Sequence, residues 1–284
     1  MRYHYRLLNV FAESTFGGNP LCVFEDARGL DDATMQTITR QFNLSETTFL
    51  FPSEEAEVDA LYRIFTVGYE MRFAGHPTLG TAHVLRSLRG GSDSLRMRCK
   101  AGIVPVSAQG DLWTLTAPSK GAAKTSIEPS SPETIAAMLG ITVEDLAGPA
   151  MWVDTGTDQL LVPLKTVEAV RRATPSNVQL WPISSLERRT AYVFAMEGEQ
   201  HSEARYFFAL QGGGFAEDPA TGSACANLGA WLIAQQHPLP LKKTIAQGAA
   251  IARASFLHLQ VSSEGAIQVG GQVIELGRGY IDIT

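Results

Sequence analysis

The chain has 284 residues, 23 lysines and arginines against 29 aspartates and glutamates, and a formal net charge of −6. At about 150 residues per domain the length predicts two domains, and a composition 45% hydrophobic and 18% charged excludes a disordered or fibrous chain. The acidic balance argues against a nucleic-acid partner, which calls for a basic face.

After Arg6 only a short apolar stretch, Leu7-Leu8, precedes Asn9. That is too short for the core of a secretion signal, and no run is long enough to cross a membrane as a helix. A soluble, cytoplasmic protein without membrane attachment is predicted. Gly17-Gly18-Asn19-Pro20 reads as a turn into a strand at Leu21-Cys22-Val23-Phe24, and its glycines also allow close backbone approach to a ligand. Asp31-Asp32 ahead of Met35, Ile38 and Phe42 predicts a capped helix with one apolar face. A second strand follows at Thr47-Thr48-Phe49-Leu50-Phe51. Glu46 lies between that helix and that strand. Partial burial there would raise its carboxyl toward neutrality and suit it to acid–base work; a charged residue at a solvent-facing strand start is the equally simple reading.

Thr116-Ala117-Pro118-Ser119-Lys120-Gly121, running on to Ser130-Ser131-Pro132, is small, polar and rich in turn formers, and reads as the connection between two halves. The predicted domains are 1–117 and 118–284, with the last strand able to return to the first. The second half opens on a helix capped by Ser131, with Pro132 in its first turn and Gly140 as its stop. It closes on Phe256-Leu257-His258-Leu259, Ile267-Gln268-Val269 and Val273-Ile274-Glu275-Leu276, three short strands expected to form an antiparallel meander. The fold class is therefore α+β, twice.

A self-match supports the duplication. Phe73-Ala74-Gly75-His76-Pro77-Thr78-Leu79-Gly80-Thr81-Ala82 aligns with Phe215-Ala216-Glu217-Asp218-Pro219-Ala220-Thr221-Gly222-Ser223-Ala224 at an offset of 142 residues, half the chain. Two related domains about a pseudo-twofold are inferred. Each copy leads into a helical stripe, Ala82, Leu85 and Leu88 in one, Ala224, Leu228, Trp231 and Leu232 in the other. His76 and Asp218 precede the prolines, where a helix N-cap belongs. Plain capping is one account. The other, favoured by the duplication, is that two helix starts aim N–H groups and positive dipole ends at one anionic group, most simply a substrate carboxylate.

No dinucleotide fingerprint, Walker loop or nucleophile elbow is present, and Gly212-Gly213-Gly214 is a turn. His76 and His83 stand about 10 Å apart along a helix, too far to share a metal. Cys22, Cys99 and Cys225 are too dispersed for a disulfide framework or a zinc site. Cofactor-free proton transfer by ordinary side chains is the simplest chemistry left.

Gly17-Gly18-Asn19-Pro20-Leu21, Asn43-Leu44-Ser45-Glu46-Thr47, Phe73-Ala74-Gly75-His76-Pro77-Thr78-Leu79-Gly80 and Glu217-Asp218-Pro219-Ala220-Thr221-Gly222-Ser223-Ala224 together resemble the signature blocks of the PhzF-like, phenazine-biosynthesis isomerase family. Gln247-Gly248, Arg253 and Gly270-Gly271 are similar to its C-terminal pattern. The resemblance spans the chain and implies a diaminopimelate-epimerase-like fold, in which two domains each wrap a mostly antiparallel sheet around a central helix. It further implies an inter-domain cleft as the site, a homodimer and no cofactor. In a family member a glutamate shifts a proton on trans-2,3-dihydro-3-hydroxyanthranilate. Carried over by motif, Glu46 is that acid–base, with His76 and Asp218 beside the substrate. Ser45, Asn19, Gly75, Gly222 and Ser223 are the implied substrate contacts, the last three at its carboxylate. Related racemases place a cysteine at each helix start, whereas no cysteine precedes either proline here, so an amino-acid racemase or epimerase is the weaker alternative. A non-catalytic small-molecule binder is the other. Leu8-Asn9-Val10 stands where the family often carries an acidic residue.

Overall fold

The protein, seen in a computed structural model, is described over residues 1–117, 123–210 and 212–283. It divides into two units, Met1–Thr116 with Gly270–Thr284, and Ala117–Val269.

The first unit contains β1 (Arg2–Val10), β2 (Asn19–Phe24), α1 (Asp32–Phe42), β3 (Glu46–Phe51), β4 (Ala60–Phe65), β5 (Glu70–Met71), α2 (Gly75–Arg89), β6 (Ser94–Cys99), β7 (Gly102–Gln109) and β8 (Leu112–Thr116). Antiparallel pairing predominates, with parallel joins between β2 and β3 and between β4 and β6. The helix expected from Asp31 forms as read: the Asp31 carboxylate accepts from Thr34 N–H, and Asn43 ends the helix in the left-handed region. Its Met35 and Ile38 join Phe24, Phe49 and Phe65 in one core, where Phe24 stacks on Phe49 at 5.1 Å between centroids.

The second unit contains β9 (Lys124–Ile127), α3 (Pro132–Leu139), β10 (Met151–Asp154), β11 (Asp158–Pro163), α4 (Val167–Arg172), β12 (Thr190–Glu197), β13 (His201–Ala209), β14 (Phe215–Asp218), α5 (Gly222–Ala234), β15 (Leu241–Gln247) and β16 (Ser255–Val261), followed by β17 (Ile267–Asp282). Ser131, Pro132 and Gly140 play their expected parts: the Ser131 hydroxyl accepts from Thr134 N–H, and Gly140 turns left-handed at the stop. Helices α3 and α4 bury Ile135, Met138, Leu139 and Val170 against Leu160, Val162, Val193 and Phe207.

Three expectations need correction. The segment read as a turn-rich connection between two halves also carries a strand, since Lys124–Ile127 pairs with Met151–Asp154; its residues 118–122 lie outside the described residues. The closing meander is not three short strands. Ile267–Asp282 is one continuous strand, assigned to the first unit from Gly270 onward, and it pairs with β1. Gly270 and Gly271 sit within it, because a strand tolerates glycine where backbone must approach closely. Nor are the central helices one-sided. From His76 to Ala82 every residue of α2 is buried, as is every residue of α5 from Ala224 to Ala230, so burial runs around the helix instead of along a stripe. Leu88, read as part of the stripe, is 43% exposed beyond the sheet's grip.

Each unit is thus a sheet closed on one buried helix, α2 against β1, β2, β3 and β8, and α5 against β10, β11 and β16. Close contact depends on small residues. A Cβ on Gly80 would come within 2.5 Å of Leu21 Cδ2 and 3.0 Å of Val10 Cγ2. Gly80→Val is therefore expected to lower unfolding stability by about 1–3 kcal/mol through overpacking, whereas Leu88→Val, on the exposed end of the same helix, costs about 0.5 kcal/mol or less. Urea titration of both variants checks this; equal losses would show that α2 is not gripped at Gly80.

Candidate active site

The two central helices do not begin where the sequence repeat placed them. Ala74 is the N-cap of α2, in extended conformation, so His76 is the second helical residue and Pro77 the third. Thr221 is the N-cap of α5, so Asp218 ends β14 and Pro219 lies in the turn before the helix. Neither His76 nor Asp218 is an N-cap. The helices start at Gly75 and Gly222, 147 residues apart. The helix starts therefore match Gly75-His76 with Gly222-Ser223, and the 142-residue alignment is five positions out of step. Proline drew the alignment because it suits both a first helical turn and the turn preceding one.

In the first unit Glu46 opens β3 opposite Leu21, which brings it beside the start of α2. Its Oε2 is 3.1 Å from His76 Nε2, and the two side chains are 15% and 7% exposed. The other nitrogen of the imidazole ring donates to the Pro20 carbonyl, and burial pushes the histidine from 6.5 down to about 3. His76 is therefore neutral at physiological pH. Asn19 is fully buried as the first residue of β2, opposite Val10, with Pro20 next to it. Ser45 is half-buried in the turn ahead of Glu46, and Gly75 directly precedes His76. Asn9, within the Leu8-Asn9-Val10 segment where the family often carries an acidic residue, donates through Nδ2 to the Thr15 carbonyl at 2.8 Å, securing the loop that leads to Gly17-Gly18. His83 takes no part, since its Nδ1 accepts from Trp113 Nε1 at 3.3 Å.

In the second unit Asp218 faces Tyr206 across the β13–β14 pair, and its Oδ2 accepts from the Thr221 hydroxyl at 2.5 Å. Strand β14 is tied down by its neighbouring residue: Arg205 meets the buried Glu217 carboxylate through Nε and Nη2 and also donates to the Ala173 carbonyl. Gln247 belongs to the C-terminal pattern of the chain. It clamps the Asp218–Thr221 turn, with Nε2 donating to the Asp218 carbonyl at 2.9 Å and to Thr221 Oγ1 at 3.1 Å, and Oε1 accepting from Thr221 N–H. Gly248, at φ +77°, makes this possible, because a Cβ there would lie 2.5 Å from the carbonyl oxygens of Pro219 and Arg253. Ser223, in the first turn of α5, is half-buried and accepts from Gln159 Nε2 at 3.0 Å; the same nitrogen reaches Tyr206 OH at 3.3 Å. Gly222 beside it is buried. Sequence reasoning missed Gln159, Tyr206 and Asn227, since an amide or a phenol inside an apolar strand or helix carries no local signal until its partners are known.

Cys22, Cys99 and Cys225 are all unbridged and buried, and burial drives the thiols of Cys22 and Cys225 far up, which leaves them protonated and unreactive. Among the described residues no cluster of His, Cys, Asp and Glu is arranged to hold a metal, and no helix is long and apolar enough to cross a membrane.

A family model described as phenazine biosynthesis-like protein matches residues 8–278. An uncharacterised isomerase of Pasteurella multocida is 38% identical over 98% of this chain and 94% of its own. The trans-2,3-dihydro-3-hydroxyanthranilate isomerase of Pseudomonas aeruginosa is 31% identical over 98% of this chain and all of its own. A solved PhzF-family phenazine biosynthesis protein from Bacillus anthracis superposes with a TM-score of 0.86 at 25% identity, covering both chains in full. The architecture is the diaminopimelate-epimerase-like fold that the sequence blocks implied.

The lowered His76 value has a consequence for stability. Between its folded and ordinary values the unfolded chain binds a proton that the folded chain does not, so stability falls as pH drops below 6.5 and gains nothing from this group above it. At about 1.4 kcal/mol per pH unit, the wild type should lose up to about 2 kcal/mol more than His76→Gln between pH 7.5 and 5.0. Denaturant unfolding at the two pH values measures the difference, and parallel losses would mean that His76 is not buried neutral.

Proposed function

The chain belongs to the phenazine biosynthesis-like family and is an isomerase of the PhzF type, and from this premise we propose that it relocates a proton within a small, unsaturated, carboxylate-bearing substrate, without a cofactor, using Glu46 as the acid–base. The observation that carries this reading is the 3.1 Å approach of the Glu46 carboxyl to a buried, neutral imidazole. With one ring nitrogen committed as donor to Pro20, Nε2 presents a lone pair to Glu46. Nε2 therefore cannot donate to Glu46, so a proton passing between the two atoms has to come from the carboxyl. A group that gives up a proton at one carbon and takes one at another must exchange between its two forms, and a carboxyl beside a neutral proton acceptor is suited to that role.

On this reading Glu46 removes a proton from a carbon next to the substrate's double bonds. The electron pair moves through the conjugated system, and Glu46 returns a proton at its far end while the double bonds shift. Asp218 and Ser223 contribute from the second unit, Asp218 toward the substrate's amine or hydroxyl and Ser223 toward its carboxylate, with the N–H groups near Gly75 and Gly222. Ser45 and Asn19 line the same substrate. The relatives named trans-2,3-dihydro-3-hydroxyanthranilate isomerase supply the first compound to try. Thiol-based racemisation is disfavoured, because Cys225 is fully buried as the fourth residue of α5 and its thiol is held protonated. A homodimer working in the cytoplasm completes the proposal.

The test is NMR of trans-2,3-dihydro-3-hydroxyanthranilate in D₂O with wild type and Glu46→Gln. Wild type should convert it, with deuterium appearing at the carbon that gains the proton, and the variant should be slower by about a hundredfold or more, the usual contribution of a positioned acid–base. A variant within about threefold of wild type would remove Glu46 from the mechanism.

A further inference from the structure

Inside the second unit runs a chain of amide hydrogen bonds whose direction is set by backbone groups and admits no reversal. It begins at Thr155, whose N–H donates to Asn227 Oδ1 at 2.9 Å, joined there by the Thr155 hydroxyl at 2.7 Å. A backbone N–H has no alternative but to donate, so the Asn227 oxygen faces Thr155. The Asn227 nitrogen then faces the other way, and it donates to the Thr157 carbonyl at 3.0 Å, a group that can only accept. It also donates to Gln159 Oε1 at 2.8 Å. With its oxygen used in this way, Gln159 turns its nitrogen toward Ser223 Oγ at 3.0 Å and Tyr206 OH at 3.3 Å. Asn227 is fully buried and Gln159 is 4% exposed, so water does not compete for these groups.

Ser223 therefore accepts from within the protein, and its own proton is directed away from Gln159. We propose that Gln159 is a positioning residue that makes the Ser223 hydroxyl a donor toward the substrate, so that the atom Ser223 meets is a hydrogen-bond acceptor such as a carboxylate oxygen and not an ammonium. The proposal rests on the reading of Ser223 as a substrate contact. It adds what sets the polarity of that contact: a relay that begins at a backbone N–H two strands' turn away and never touches the ligand.

Gln159→Glu separates polarity from packing. A carboxylate of the same length accepts from Asn227 Nδ2, Ser223 O–H and Tyr206 O–H, so every neighbour stays satisfied while the Ser223 proton is drawn inward. Its thermal midpoint reports that the variant remains folded. With trans-2,3-dihydro-3-hydroxyanthranilate, KM should rise about 10- to 100-fold, the cost of a lost hydrogen bond to a charged group, with kcat nearly unchanged. Gln159→Met, which frees the hydroxyl without reversing it, should fall between. In a Ser223→Ala background Gln159→Glu should have no further effect on KM, since the hydroxyl it acts through is gone; a merely structural role would add to the loss. If Ser223→Ala raises KM and Gln159→Glu does not, the positioning role is overturned. If Ser223→Ala itself leaves KM unchanged, the reading of Ser223 as a contact falls, and the proposal with it. Neutron diffraction from deuterium-exchanged crystals decides the polarity without any substrate: deuterons on Gln159 Nε2 toward Ser223 support it, and a Ser223 deuteron lying toward Gln159 overturns it.

Discussion

A helix with no solvent face can carry a polar side chain on two terms: the group is satisfied within the fold, or it belongs to a site. Desolvating an unpaired hydroxyl or amide costs about 1–3 kcal/mol, and from His76 to Ala82 and from Ala224 to Ala230 α2 and α5 are buried around their whole circumference. Most of their polar groups meet the first condition. Thr78 donates to the Ala74 carbonyl and pairs with Tyr62 OH at 2.8 Å, and Thr81 donates to Pro77 and pairs with Thr48 at 2.8 Å. Asn227 uses both ends of its amide on Thr155, Thr157 and Gln159.

His76 and Ser223 are different. Each is the second residue of its helix, preceded by a glycine, and each takes one bond from inside its own unit: His76 from its ring to Pro20, Ser223 from Gln159. Each keeps a second hydrogen-bonding function, Nε2 in one case and the hydroxyl proton in the other. The equivalence of these two positions is an internal property of the fold. It also explains why one half of the proposed chemistry is a proton-transfer pair and the other a set of oriented donors. Glu46 sits beside an imidazole that burial keeps neutral, whereas Asp218 accepts a hydrogen bond from the Thr221 hydroxyl.

The scaffolding around the second helix start is correspondingly elaborate. Gln247 donates to Thr221 Oγ1, which commits the Thr221 proton to Asp218, and Gly248 lets that clamp lie directly on Pro219. Glu217, pointing to the opposite face of β14 from Asp218, is held by Arg205, which is itself fastened to the end of α4. The carboxylate proposed to meet the substrate stands on a short four-residue strand and needs such support, because β14 has little backbone pairing of its own.

What the sequence determined by itself was local or repeated. Asp31, Ser131, Pro132 and Gly140 announced helix ends because caps act within three or four residues. The runs Leu21–Phe24 and Thr47–Phe51 announced strands because β-branched and aromatic content and flanking turn residues are local. The four motif blocks identified family and fold because each lies at a turn or helix start, where few residue types serve. Only the tertiary structure decided what depends on partners far along the chain. It moved the helix starts to Gly75 and Gly222, merged the last strands into one, and buried the central helices on all sides. It also put Glu46 against His76, thirty residues on, and Gln159 against Ser223, sixty-four residues on. A side chain's partner, its desolvation and hence its charge and polarity arise from packing, and no window of neighbouring residues contains them.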